Sequence, residues 1–171
     1  AMQSLPALGY VVSYVALQRA LDAALARADV PVRFGTIASR VHGTPAHAEV
    51  IVADEGEPLR ARLAVVADGT GTAVDGIVRE RHDYGQVALV GEVFLDPPRR
   101  GVAYERFTPD GPVALLPERD HHGLVWTLTP AIAEAMLTVP ESAFLDGLAR
   151  HFGTRVTGFA HVVVRRAFPL V

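Results

Sequence analysis

The chain has 171 residues, of which 50% are hydrophobic and 20% are charged, and this balance is typical of a globular protein rather than a disordered one. Its formal net charge of −3 gives no basic footprint and argues against nucleic acid as a partner. The absence of cysteine excludes disulfides, thiolate catalysis and cysteine-ligated metals, and no apolar run reaches the length of a membrane span.

The first predicted element is a helix. Ser13 can cap its start, and Leu17, Leu21 and Leu25 then recur every four residues as one apolar stripe. Pro31 is expected to end it, because a residue that precedes proline is pushed out of the helical region.

A β-meander is predicted next, with strands over residues 32–41 and 47–53 and a third over 59–67. The third strand alternates at its start and is wholly apolar at its end, which predicts that its second half is buried. The dipeptide Asp68-Gly69 closes this strand as a turn, and an irregular segment is expected to follow as far as Arg81.

The second half of the chain predicts an antiparallel sheet, two helices and a last strand. The first four strands are expected over residues 87–95, 102–107, 113–116 and 123–129. Pro130 and Pro140 each suit the first turn of a helix, and Gly153 ends the second helix. One face of that second helix carries Phe144, Leu145, Leu148 and Phe152. The last strand is expected over 156–168.

The fold class is therefore α+β, an antiparallel or mixed β-sheet with a few helices, in a single domain over residues 1–171. Both ends, 8–12 and 167–171, are apolar, whereas domains usually begin and end in polar segments. We expect the chain to be a piece of something larger.

The Asp68-Gly69 turn is the most informative local feature. Such a dipeptide is by itself a common turn former, but at the end of a buried strand it can also bring a carboxylate and bare backbone next to a ligand. The stretch Val-Ala-Asp-Gly-Thr-Gly-Thr-Ala-Val over 66–74 resembles the Asp-Gly motif of flavoprotein aromatic hydroxylases.

Five further segments, in the same order, extend this resemblance along nearly the whole chain: 9–12, 18–21, 104–117, 124–127 and 168–170. Together they resemble the ubiquinone-biosynthesis FAD-dependent aromatic hydroxylases, of the 2-octaprenyl-6-methoxyphenol hydroxylase type. The resemblance implies an oxidoreductase that binds FAD noncovalently, reduces it with NAD(P)H and hydroxylates a polyprenylated phenol. It also implies the substrate-binding portion of a p-hydroxybenzoate-hydroxylase-like monooxygenase.

In that interpretation residues 1–81 include a flavin-proximal helix and the Asp-Gly motif, and residues 82–171 form the substrate-binding sheet. The implied cofactor-binding residues are Gln18, Asp68 and Gly69. The implied substrate-binding residues are Phe107, Pro112, Leu115 and Trp126, of which Phe107 and Trp126 are placed by position only. No catalytic side chain and no metal site are assigned.

The chain also departs from the family pattern in ways that bear on cofactor binding. Neither the Gly-x-Gly-x-x-Gly turn, whose backbone would hold the pyrophosphate, nor the family's later Gly-Asp motif occurs here. Thr72 and Asp75 stand where many members have Ser and Arg. We expect this chain alone to hold no cofactor and to be catalytically inactive.

The expected partners follow from the same resemblance: a polyprenyl phenol substrate, other quinone-biosynthesis enzymes, and no nucleic acid. The implied location is cytoplasmic, with peripheral contact to the inner membrane as one option. Self-association is expected, because a sheet face and strand edges that should meet the rest of the enzyme would be exposed.

Two alternatives stay open at this point. The chain could be a stand-alone α+β module that binds an apolar ligand or a protein partner. It could also be a metal-dependent hydrolase built on His121 and His122, although adjacent histidines point to opposite sides of an extended chain and no third ligand has usable spacing. We expect that pair to lie in a solvated hairpin turn, and we give the neighbouring His82-Asp83 pair little weight as a general base.

Overall fold

The computed structural model describes residues 9–53, 56–69 and 71–171. The chain has mixed α and β content and divides into two compact units. One unit holds the described residues up to Asp22 together with Arg81–Val171, and the other is Ala23–Glu80. No helix in the described ranges is both long enough and apolar enough to cross a lipid bilayer.

Helix α1 covers Tyr14–Arg27, which confirms the first predicted element. It ends before Pro31, and Asp29 already adopts a positive φ of 52°. The predicted apolar stripe is present but exposed, with Leu17, Leu21 and Leu25 between 39 and 52% accessible. The helix therefore presents an apolar face that is not buried.

The unit Ala23–Glu80 contains a four-stranded mixed sheet. Its strands are β1 (Ala38–Gly43), β2 (Ala48–Val52), β3 (Leu59–Ala61) and β4 (Ala73–Val74), in the order β3-β2-β1-β4. Strand β4 runs parallel to β1, and the other pairs are antiparallel. Sequence reasoning had expected only an irregular segment where β4 lies.

Two strand predictions in this unit are wrong in extent. The strand expected over 32–41 begins only at Ala38, and the one expected over 59–67 stops at Ala61. The second half of the strand expected over 59–67, which was predicted to be buried, is exposed, since Leu63 is 76% and Val65 is 81% accessible. The reason is the register: Ala61 pairs with Ala48, the first residue of β2, so that residues beyond Ala61 have no part of β2 left to pair with.

The larger unit contains a five-stranded antiparallel sheet, as the sequence predicted. Its strands are β5 (Gln86–Leu95), β6 (Tyr104–Thr108), β7 (Gly111–Glu118), β8 (His121–Leu128) and β9 (Phe159–Leu170), in the order β6-β7-β8-β5-β9. Strand β9 begins later than the predicted residue 156, because a single 3-10 turn over Gly153–Arg155 first redirects the chain.

Helices α2 (Pro130–Thr138) and α3 (Glu141–Phe152) start and stop where proline and glycine predicted. They cover one face of the five-stranded sheet. The predicted face of α3 is buried there, with Phe144 and Leu148 at 0% accessibility. Burying a large apolar side chain contributes roughly 1.5–3 kcal/mol, so this layer supplies the core of the unit.

The opposite side of the sheet, here named the open face, is not covered by these helices. Strand alternation and register place on it the apolar residues Ala88, Val90, Phe107, Pro112, Ala114, Val125 and Phe168. All are half-buried or exposed, and Phe107 is 82% accessible. The sheet therefore has one packed face and one apolar face that is open.

A bulge in β9 shapes the edge of this sheet. The register against β5 shifts at Gly91, and Val164 adopts a φ of 53°. Any Cβ on Gly91 would lie 2.8 Å from the Val164 carbonyl oxygen, so the bulge requires glycine there. The bulge also turns Arg165 to the helix side, where its guanidinium donates to the carbonyls of Met136 and Val139.

Candidate functional site

The Asp68-Gly69 turn is closed by hydrogen bonds to Thr72. Asp68 Oδ2 accepts the Thr72 backbone N–H at 2.9 Å and also lies against the Thr72 hydroxyl. That hydroxyl is buried and lies 3.0 Å from the Ala38 carbonyl, but its one proton can serve only one acceptor at a time. These bonds to Thr72 lower the pKa of Asp68, so its carboxylate is ionised at neutral pH.

The turn is also open to an approaching ligand. Gly69 has a φ of 79°, which favours glycine, and apart from its chain neighbours no heavy atom of the described residues lies within 4 Å of the place where its Cβ would be. The Asp68 residue itself is exposed. This arrangement offers a hydrogen-bond acceptor beside bare backbone, and it suits a ligand rich in hydroxyl groups.

Close to this turn in sequence, Asp75 forms a charged cluster that the sequence did not reveal. Its carboxylate oxygens accept from Arg40 Nη1 at 2.7 Å and contact His42 Nδ1 at 3.0 Å. The bond to His42 and then the charge of Arg40 lower the pKa of Asp75. The parallel pairing of β1 with β4 brings these residues together, and no local sequence pattern signals such a pairing.

Gln18 lies on the exposed surface of α1, where its amide donates to the Asp22 carboxylate at 2.8 Å. It belongs to the larger unit, whereas Asp68 and Gly69 belong to the smaller one. A shared role of these three residues in cofactor binding stays a prediction.

The four predicted substrate-binding residues fall into two pairs. Phe107 and Pro112 face each other across β6 and β7 on the open face. Leu115 and Trp126 instead lie in the core under the helices, at 0% and 3% accessibility. The structure therefore brings each pair together but places the two pairs on opposite sides of the sheet. Their role as substrate contacts stays a prediction.

Sequence reasoning missed Ala88, Val90 and Val125 of the open face, whereas Ala114 lies within the segment 104–117 that carries the resemblance. Ala88, Val90, Ala114 and Val125 form a continuous half-buried patch across β5, β8 and β7, because Val90 pairs with Val125 and Val125 with Ala114. The signal was available, since these residues alternate along each strand with the core residues. A flat apolar ligand is the kind of molecule that such a patch fits.

The histidine pair is not the solvated turn that the sequence suggested. The hairpin turn lies at Arg119 and Asp120, and both histidines belong to β8. His122 is 2% accessible, its Nε2 lies 3.3 Å from the Val102 carbonyl oxygen, and burial lowers its pKa. His121 points to the other side, against the Phe94 ring.

A metal site on these histidines gains no support. Within the described ranges, no group of three or more histidine or acidic side chains converges in a way that could hold a metal ion.

Comparison with known proteins by sequence places this chain in a family. No protein-family model matches the chain. Ubiquinone hydroxylase UbiL of Rhodospirillum rubrum is 33% identical over 155 residues, which are 85% of this chain and 35% of that protein. The 3-demethoxyubiquinol 3-hydroxylase of Escherichia coli is 33% identical over 173 aligned residues, covering 97% of this chain and 43% of that protein.

A vertebrate protein gives the same result over a shorter range. The mitochondrial ubiquinone biosynthesis monooxygenase COQ6 of Danio rerio is 35% identical over 102 residues, which are 57% of this chain and 21% of that protein. The chain thus spans less than half the length of each of these relatives. Over that span, it belongs to the family of the ubiquinone-biosynthesis hydroxylases.

Proposed function

We propose that this chain is the substrate-binding part of an FAD-dependent monooxygenase that hydroxylates a polyprenylated phenol in ubiquinone biosynthesis. The observation that carries the proposal is the 33% identity to 3-demethoxyubiquinol 3-hydroxylase over 97% of the chain. The intact protein would use NAD(P)H as reductant and would place one oxygen atom of O2 on the aromatic ring.

The open face is the surface on which we place the phenol. Its patch consists of small and β-branched side chains, which do not obstruct a flat ring, and Phe107 with Pro112 forms its border at the edge strand. Leu115 and Trp126 would support this surface from behind, since they fill the core under the same strands. This arrangement supports the p-hydroxybenzoate-hydroxylase-like assignment, in which the sheet covers the flavin and the substrate lies between them.

The described residues fit one part of FAD and not another. The ionised Asp68 carboxylate and the open backbone at Gly69 fit hydroxyl groups such as those of the ribityl chain. The carboxylate does not fit the anionic pyrophosphate, for which the family uses the backbone donors of a Gly-x-Gly-x-x-Gly turn, a motif that this sequence does not contain. FAD supplies the activation of oxygen when bound, and the residues of this chain supply an apolar surface that positions the ring and excludes water.

A chimaera tests the proposed function. The matching 43% of the Escherichia coli hydroxylase would be replaced by this chain, and ubiquinone would be measured by mass spectrometry in a strain that lacks the enzyme. We expect ubiquinone to be restored. A folded, FAD-loaded chimaera that makes no ubiquinone would contradict the proposed substrate class.

The same chimaera tests the open face. Phe107→Glu places a charge on the surface proposed for the phenol and should abolish ubiquinone formation. Ala131→Glu, which adds the same charge to an exposed position on α2, is the matched control and should leave it unchanged. Equal activity in the two variants would rule out the open face as the substrate surface.

Titration of this chain with FAD, followed by flavin fluorescence, tests whether the chain can hold FAD without the Gly-x-Gly-x-x-Gly turn. We propose that the chain alone shows no saturable quenching and no turnover. Saturable binding that is lost in Asp68→Ala but kept in Asp75→Ala would mean that the Asp-Gly turn suffices to hold flavin.

Self-association is a related proposal. The open face and the outer edges of β6 and β9, beside which the described sheet has no further strand, would pair with a second copy when the rest of the enzyme is absent. Sedimentation velocity should show concentration-dependent dimers that weaken in Phe107→Glu. A monomer at all concentrations would refute it.

A further inference from the structure

A second apolar site lies on the helix-covered side of the five-stranded sheet, away from the open face. It is a cavity of about 320 Å3, at the lower end of the range of small-molecule pockets. Its apolar wall is formed by Trp126 and Leu128 of β8 and by Ile132 and Met136 of α2. The cavity belongs wholly to the larger unit, and nothing in the proposed hydroxylation uses it.

Charged groups gather at one end of this cavity. Arg150 and Asp110 line it, and both residues are exposed. His151 also lines the cavity, and Arg106 lies close enough to it to lower the pKa of its imidazole. In the described part of the chain, neither Arg150 nor Arg106 has an acidic side chain within ion-pair distance.

His151 adds a neutral polar group. Burial is the main reason that its pKa is lowered, with Arg150 and Arg106 acting in the same direction and Asp110 against them. With His151 neutral, the charged residues of the cavity lining are Arg150 and Asp110, and Arg106, which lines a different groove, adds a second positive charge near His151. The cavity therefore joins an apolar wall to a charged end at which the Arg150 guanidinium can meet an anionic head group.

Gly147 lies where the apolar wall of the cavity meets its charged end. Any Cβ built on it would lie 3.6 Å from Arg150 Nη2 and 3.8 Å from Trp126 Cη2. The guanidinium of Arg150 and the indole of Trp126 thus lie over the same residue of α3. A ligand that touches the indole with its chain can reach the guanidinium with its head.

We propose that this cavity binds an amphiphile with one carboxylate head and a short unbranched apolar chain, such as a medium-chain fatty acid. Arg150 forms the head site, because a guanidinium binds a carboxylate through two parallel hydrogen bonds. The chain lies along Trp126, Ile132 and Met136. This site does not depend on the proposed function, since it lies on the other side of the sheet.

Trp126 provides a direct measurement, because it is the only tryptophan in the chain. Decanoate brominated at its terminal carbon would be titrated into the full chain, and quenching of tryptophan fluorescence would be followed. We expect saturable quenching, and binding of the matching brominated decanol about tenfold weaker because it lacks the charge. Equal affinity for acid and alcohol would overturn the proposal.

Three variants locate the binding. Arg150→Gln should weaken decanoate about tenfold while leaving decanol unchanged. Gly147→Leu should abolish binding of both, since its side chain would enter the cavity. Arg155→Gln is the matched control, because Arg155 lines a different groove, and it should bind like the parent chain.

The outcomes remain decisive if one variant fails to fold. Arg150 is exposed, so Arg150→Gln should fold even if Gly147→Leu does not, and unchanged decanoate affinity in Arg150→Gln would overturn the head site.

Brominated decyl phosphate separates carboxylate from phosphate ligands. Asp110 should repel its second charge, so tighter binding than decanoate would refute a carboxylate ligand.

Discussion

Arg165 joins the β9 edge strand to the helical layer, and its loss should destabilise the larger unit. Its Nη1 lies 3.0 Å from the Met136 carbonyl and 2.8 Å from the Val139 carbonyl, and its guanidinium carbon lies 5.2 Å from the Phe144 ring centre. Hydrogen bonds that involve a charged group contribute about 1.5–3 kcal/mol each, and a cation–π contact about 0.5–2 kcal/mol. Arg165 is half-buried, so water can replace part of these interactions in the variant. We therefore expect Arg165→Leu to lower the free energy of unfolding by about 2–3 kcal/mol.

The assay is urea unfolding followed by Trp126 fluorescence, which reports on the unit that contains Arg165. The matched control is Arg166→Leu, because Arg166 is exposed, pairs with Val90 on the opposite face and should change the free energy of unfolding by no more than about 0.5 kcal/mol. If the two variants differ by less than about 0.5 kcal/mol, the bonds to the end of α2 do not stabilise this fold.

Three further predictions concern close packing and protonation. Gly91→Ala should lower the free energy of unfolding in urea by about 1–3 kcal/mol, because the new Cβ would meet the Val164 carbonyl oxygen. Gly123→Ala should lower it less, because its new Cβ would meet only the Leu116 carbonyl oxygen at 3.9 Å. Thr72→Val should raise the pKa of Asp68 in an NMR titration, and an unchanged pKa would mean that Thr72 does not hold the carboxylate. The larger unit should lose stability as pH falls from about 7 to 5, because His122, whose pKa burial lowers, takes up its proton more readily when unfolded. His122→Leu should flatten that slope in unfolding measured at several pH values, and an equal slope would exclude His122 as its source.

The parts of the fold that the sequence predicted well are those that local rules decide. Pro130, Pro140 and Gly153 set the limits of α2 and α3, and the side-chain spacing of α3 identified its buried face. Alternation and turn residues placed the strands of the five-stranded sheet within a few residues. These signals act over one or two turns of chain, so no knowledge of tertiary contacts was needed.

The predictions that failed depend on contacts distant in sequence. An apolar run such as 63–67 forms a buried strand only where a neighbouring strand offers hydrogen bonds, and β2 is too short to do so. The parallel pairing of β4 with β1, which assembles Asp75 with Arg40 and His42, joins residues more than thirty positions apart. His122 was misjudged for a similar reason, because a shift of two residues in the hairpin turn decides whether it is solvated or buried.

The division of the predicted substrate residues follows from the geometry of a strand. Successive side chains point to opposite faces, so Pro112 and Leu115, three positions apart in β7, must lie on opposite sides of the sheet. One flat ligand on the open face can touch Pro112 and Phe107 but cannot also touch Leu115 and Trp126. If the phenol lies on the open face, substitutions at Phe107 should change its binding directly, whereas substitutions at Trp126 should act through the packing beneath. Trp126 also borders the cavity on the other side of the sheet, so it is the residue through which occupancy of that cavity could alter the support of the substrate surface.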